Sequence, residues 1–155
     1  MDILASQGAF LAALVSGVAY LSVAAMLFMA NLWLFERWTP FNVKEAIFDT
    51  QNRAIGQIVR GQLIAQGIMI GSLIYFTGST PEHIFQMNVF AASLRSTVLF
   101  GIFGMASFQF LLWGLTKAIP LEKEIILEQN ESLALIIEGF LIALAILVSV
   151  AFYSY

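Results

Sequence analysis

Residues 3–35 run without a single charged side chain. A helix crosses the hydrocarbon core of a bilayer in about 20 apolar residues, because lipid offers backbone amides no partner but one another. A run of this length with no charge therefore predicts a membrane span. It is preceded by no Lys or Arg and is too long for the apolar part of a signal peptide, so it is read as a retained helix. Composition agrees: 60% of the 155 residues are hydrophobic and 11% are charged, with a mean hydropathy of +0.87.

Three more segments qualify. The expected spans are residues 10–34, 55–76, 89–115 and 132–152. The fold class expected is an all-α integral membrane protein of four transmembrane helices. Arg37, Lys44 and Arg53 fall in the first loop and Lys117 and Lys123 in the third, while residues 77–88 hold no Lys or Arg. By the positive-inside rule the first and third loops are cytoplasmic and both termini lie outside. Arg95, near the outer end of the third span, is expected to snorkel outward. Trp33, Trp38, Tyr75, Phe76, Trp113, Tyr153 and Tyr155 sit where interfacial aromatic anchors belong. Val43, Ala46 and Ile47 follow Pro40 at helical spacing, as Leu121, Ile125 and Ile126 follow Pro120. Each set forms a short amphipathic helix at the interface or the first turns of a longer span.

The chain also repeats itself. Gln51-Asn52 recurs as Gln129-Asn130, 78 residues later. In that register Gly61 falls on Gly139, Leu63-Ile64-Ala65 on Leu141-Ile142-Ala143, and the amide of Asn31 on that of Gln109. A gapless match predicts duplication of a two-span hairpin, with copies at residues 1–78 and 79–155. Copies that each cross twice share one orientation, giving a parallel repeat about an axis along the membrane normal.

The charges invert between the copies. Arg60 corresponds to Glu138, Arg53 to Glu131, Lys44 to Glu122 and Glu45 to Lys123. Arg53 and Arg60 lie two helical turns apart, as do Glu131 and Glu138. Gly56, Gly67 and Gly71 continue the first stripe, and Ala134, Ala145 and Ser149 the second. Small residues at such spacing let membrane helices approach closely. The second and fourth spans are thus expected to pack at the axis, pairing Arg60 with Glu138 inside the bilayer and Arg53 with Glu131 nearer its edge.

The segments "WTPFNVKEAIFDTQNRAIGQIVRGQLIAQGIMIGS" and "IPLEKEIILEQNESLALIIEGFLIALAILVSV" resemble the duplicated module of the bacterial domain of unknown function 350 family, the YjfL-like group of small four-span membrane proteins. The module's acidic loop helix, Asn-containing start and small-residue span fall on Glu45, Asn52 and Gly61, and on Glu124, Asn130 and Gly139. Arg53 and Glu131 depart from it, standing where alanine-like residues follow the Asn. The resemblance implies a bacterial inner-membrane location and carries over no reaction and no catalytic residue.

Several function classes find no footing. Cysteine is absent, which removes disulfides, iron–sulfur clusters and thiolate zinc sites. His83 is the one histidine and falls in the loop between the second and third spans, where a solvated side chain is expected, so facing haem ligands are missing. Glu122, Glu124, Glu128 and Glu131 cluster without an EF-hand pattern and read as a solvated acidic face. No histidine base stands near a serine within the spans, and no basic cluster suits nucleic acid. The expectation is no cofactor, no metal and no enzymatic activity. The function expected is that of a membrane scaffold or accessory subunit, forming a homo-oligomer or joining a membrane-protein partner. The alternative is a component of an oligomeric ion channel or transporter that uses Arg60 and Glu138.

Overall fold

The computed structural model of the chain describes residues 3–39, 41–76 and 87–153. Four long helices account for most of them: α1 (Ile3–Trp38), α2 (Arg53–Phe76), α3 (Met87–Ala118) and α4 (Glu131–Tyr153). Among the described residues there is no strand. Pro40, His83 and Tyr155 lie outside them. Among the described residues, three helices are long and apolar enough to cross a membrane, over Phe10–Trp38, Val89–Ala118 and Glu131–Ala151. α2 has the length, at 24 residues, but Arg53, Arg60, Gln57, Gln62 and Gln66 dilute its apolar character.

The outer surface identifies the solvent. Phe10, Leu14, Leu21, Met26, Met29 and Trp33 on α1 are each more than half exposed, as are Phe110 on α3 and Leu147 on α4. Apolar cover this continuous is untenable in water and is what lipid requires. The chain is a membrane protein.

Packing centres on α2. Its most extensive contact is with α4; it also touches α3 and, less, α1, while α1 rests mainly on α3. The larger core cluster gathers Ala54, Ile55, Ile58 and Ala65 of α2, Phe108 and Leu112 of α3, and Ala134, Ile137, Leu141 and Ala145 of α4. A smaller one joins Leu27, Ile70 and Met105.

The loops before α2 and α4 are built alike. Each holds a short π-helical turn, Glu45–Asp49 and Glu122–Leu127, separate from the long helix that follows. Val43, Ala46, Leu121 and Ile125 are buried beneath these turns, so their apolar spacing serves the core. Each turn closes with wide backbone bonds: Thr50 N donates to Glu45 O and Asn52 N to Ala46 O, and Glu128 N donates to Lys123 O and Asn130 N to Glu124 O. Gln51 and Gln129 then take left-handed backbone conformations, at φ 50° and 49°. A left-handed residue ends a helix by turning the chain away from its axis, a place usually held by glycine. The next residue caps the following helix. Asn52 Oδ1 accepts from Ile55 N at 3.2 Å, and Asn130 Oδ1 accepts from Leu133 N at 3.0 Å. Gln-Asn is therefore a stop followed by a start.

The two asparagines differ in their second bond. Asn52 Nδ2 donates at 2.8 Å to Ile125 O, tying the start of α2 to the other π turn, whereas Asn130 Nδ2 donates to Glu124 Oε2 of its own loop at 3.0 Å. Asn52→Ala is expected to cost roughly 1 kcal/mol for the cap and about 1–3 kcal/mol more for the orphaned buried carbonyl. Asn130→Ala, which orphans only a half-exposed side chain, should cost the cap alone. Thermal unfolding of the two variants in detergent checks the difference.

Candidate functional site: a charged seam and a buried amide network

Residues 53–60 and 131–138 are the first two turns of α2 and α4, so Arg60 and Glu138 stand equally deep, about 10 Å along each helix from its first residue. The structure brings them together. Arg60 Nε donates to Glu138 Oε1 at 2.9 Å and Nη2 to Oε2 at 2.7 Å, a fork in which both carboxylate oxygens are used. The partners are unequally placed: the Glu138 side chain is 8% exposed and that of Arg60 57%. Glutamate sits in the seam between the helices, and arginine reaches over it from the flank. Side-chain length explains this, since a guanidinium extends far beyond its own helix face while a carboxylate must sit near its backbone.

Close approach makes room for the glutamate. A Cβ on Gly61 would lie 2.9 Å from Glu138 Cα and 2.9 Å from its Cγ. Around this point the seam is lined by small buried residues: Ala54 and Ala65 on α2, Ala134 and Ala145 on α4. At its far end Ser72 Oγ donates to Ser149 Oγ at 2.9 Å. The α4 stripe read from the sequence, Ala134, Ala145 and Ser149, lies in the contact. The α2 stripe does not: nothing lies within 4 Å of a Cβ built on Gly56, Gly67 or Gly71. The contacting face of α2 is rotated from them, to Ala54, Gly61 and Ala65. Gly139, the counterpart of Gly61, also faces open space.

The remaining charges behave differently. Arg53 and Glu131 are both exposed, and among the described residues no ion pair joins them. Lys44 pairs with Glu36 at 3.6 Å and Lys123 with Glu128 at 3.3 Å, both on the surface and both local, so neither contributes much to stability. Among the described residues no three His, Asp or Glu side chains converge as a metal site. Arg95 is exposed, and Lys117 lies over the Trp113 ring at 5.9 Å from its centroid.

A second polar feature lies where α1, α2 and α3 meet. Gln109 Nε2 donates to Asn31 Oδ1 at 3.2 Å, and Asn31 Nδ2 donates to Gln62 Oε1 at 3.2 Å. Asn31 and Gln109 stand 78 residues apart, the offset read in the sequence; at that offset from Gln62 stands Phe140, so Gln62 has no matching amide. Gln66, one turn on, is fully buried as well. The sequence matches Asn31 with Gln109 but gives no sign that they meet Gln62. Their convergence depends on the facing of three helices, which the spacing of residues within one helix does not report.

No solved structure and no curated protein matches this chain. The family model described as Domain of Unknown Function (DUF350) matches residues 9–152, nearly the full length, and the chain belongs to that family.

Proposed function

We propose that the chain is a non-enzymatic, four-span scaffold or accessory subunit of a bacterial inner membrane, made of two fused hairpin copies and packing with itself or with a larger membrane complex. The observation that carries this reading is the Arg60–Glu138 fork. The ionisable groups deepest in α2 and α4 are joined to each other, Glu138 within the helix seam and Arg60 from its flank, with both carboxylate oxygens taken up. A pair held this way specifies how two helices meet. Neither oxygen of Glu138 is then left to face a pore or cleft.

α2 serves as the fourth span because its neighbours shield it. Its polar residues Gln62 and Gln66 are buried against other helices, so they do not meet lipid. Duplication is supported by the matched π turns, the matched left-handed Gln51 and Gln129 and the matched caps Asn52 and Asn130. The Lys and Arg of the first and third loops support a cytoplasmic location for that end of the bundle, with both termini outside. The wide apolar flank of α1 is the surface left for lipid or for a membrane partner.

Purification in mild detergent followed by mass spectrometry tests the reading. A stoichiometric second chain, or a discrete homo-oligomer, is the expected result. A clean monomer with no companion, combined with ion flux through liposomes that changes in Arg60→Gln, would replace the scaffold with a conducting role.

A further inference from the structure

We propose that Gln62 and Gln66 bind water inside the bundle, in a pocket hydrated from the π-turn end and closed toward the opposite end. The inference rests on the four-span reading above. Both side chains are 0% exposed. Among the described residues, nothing accepts from Gln62 Nε2, and nothing pairs with either Nε2 or Oε1 of Gln66. Because both ends of the Gln66 amide lack a partner, exchanging its O and N leaves the shortage unchanged. Lipid-shielded polar groups are held by protein or by ordered water.

The chemistry of the orphaned atoms suits water. Two amide N–H groups need an acceptor and one carbonyl needs a donor; a water supplies both and commonly makes about three such bonds when buried. Gln62 and Gln66 are one turn apart on α2, with Cβ atoms about 5–6 Å apart, near enough for their amides to share one water. Neither side chain carries charge, and no carboxylate joins the cluster, so nothing there favours a metal cation over neutral water.

A cavity approaches the amide chain from the π-turn end. A cavity of about 110 Å³ opens at the π-turn end between α1 and α3, with Thr39 and Thr116 at its walls and Gln109 among its lining. At about 30 Å³ per molecule of liquid water, it has room for roughly three to four. Gln109 hands on to Asn31, and Asn31 to Gln62. Toward the opposite end the way is shut. Leu27, Ile70 and Met105 pack together, and each lies four residues from an amide: Asn31, Gln66 and Gln109 in turn. An apolar layer thus stacks directly on the amide layer. The hydrated pocket is a dead end, which fits a bundle that does not conduct.

The test uses the unmodified chain, isotope-labelled and reconstituted in phospholipid bilayers, with magnetisation transferred from water in solid-state NMR. The side-chain amides of Gln62 and Gln66 should gain signal at mixing times that light up the exposed Gln51 and Gln129, while the methyls of Leu27 and Met105 stay dark. Dark Gln62 and Gln66 amides beside bright Gln51 and Gln129 would overturn the water site. Bright Leu27 and Met105 methyls would overturn its closure. Transfer from lipid acyl protons to Ile64, on the exposed flank of α2, reports the span separately. Its loss would sink the four-span reading however the amides behave.

Discussion

Gly61→Leu is expected to force α2 and α4 apart and to cause the largest loss of stability of any single apolar substitution in the seam. A Cβ at this position would meet Glu138 Cα at 2.9 Å, and a main-chain atom cannot rotate aside. Overpacking a closed core costs about 1–3 kcal/mol and occasionally more. The effect here should reach the upper end, because a shift of the backbone also loosens Ala54, Ala65, Ala134 and Ala145 and stretches the Arg60–Glu138 fork. Even Gly61→Ala should be destabilising, against the usual gain from placing alanine in a helix. Gly139, at the matching position along α4, is the control. A Cβ at Gly139 meets nothing within 4 Å, so Gly139→Leu should not destabilise the protein. Thermal unfolding in detergent, followed by circular dichroism, compares the pair. Equal losses at the two glycines would mean that close approach at Gly61 is not what sets the seam.

Reversing either charge of the fork is the second large effect. Arg60→Glu sets a new carboxylate beside Glu138, whose own side chain is 8% exposed and has little route to water. Glu138→Arg places a long cationic chain against Gly61, where the glutamate stem already touches. Both variants should unfold at clearly lower temperature than the native chain, and their folded yield in membranes should fall. Raising salt should do little to the native protein, since a screened surface pair responds to ionic strength and a seam-bound carboxylate does not. A strong salt dependence of native stability would move the fork to the surface.

Parts of this architecture were legible in the residues alone. A charge-free run of the length found before Glu36 admits few folds besides a membrane helix. The opposite signs of Arg60 and Glu138 at equivalent positions marked a contact between copies, because a sign change across a repeat needs a cause that a sign match does not. What escaped was the rotation of α2. Arg60 shares a stripe with Gly56, Gly67 and Gly71, which suggested that the whole stripe faced α4. A guanidinium reaches so far from its backbone that the arginine does not mark the contacting face, and the true face carries Ala54, Gly61 and Ala65. Arg53 and Glu131 stand at exposed first residues of their helices, where water competes with pairing. The role of Gln51 and Gln129 was hidden for a different reason. A left-handed turn is usually signalled by glycine or asparagine, and glutamine gives no such warning. The amide network escaped because the meeting of Asn31, Gln62 and Gln109 depends on how three helices face one another, which spacing along one helix does not report.

The account stands on Arg60 and Glu138 meeting across the seam between α2 and α4. Four proteins decide it: the native chain, Arg60→Glu, Glu138→Arg and the double exchange, each melted in the same detergent. If the two side chains face each other, the double variant melts closer to the native chain than either single variant does, because the exchanged charges attract again. The shorter glutamate at position 60 and the longer arginine at 138 should keep that recovery incomplete. A double variant whose loss equals the sum of the two single losses would show no coupling, and would contradict the seam on which the fold and its proposed role depend.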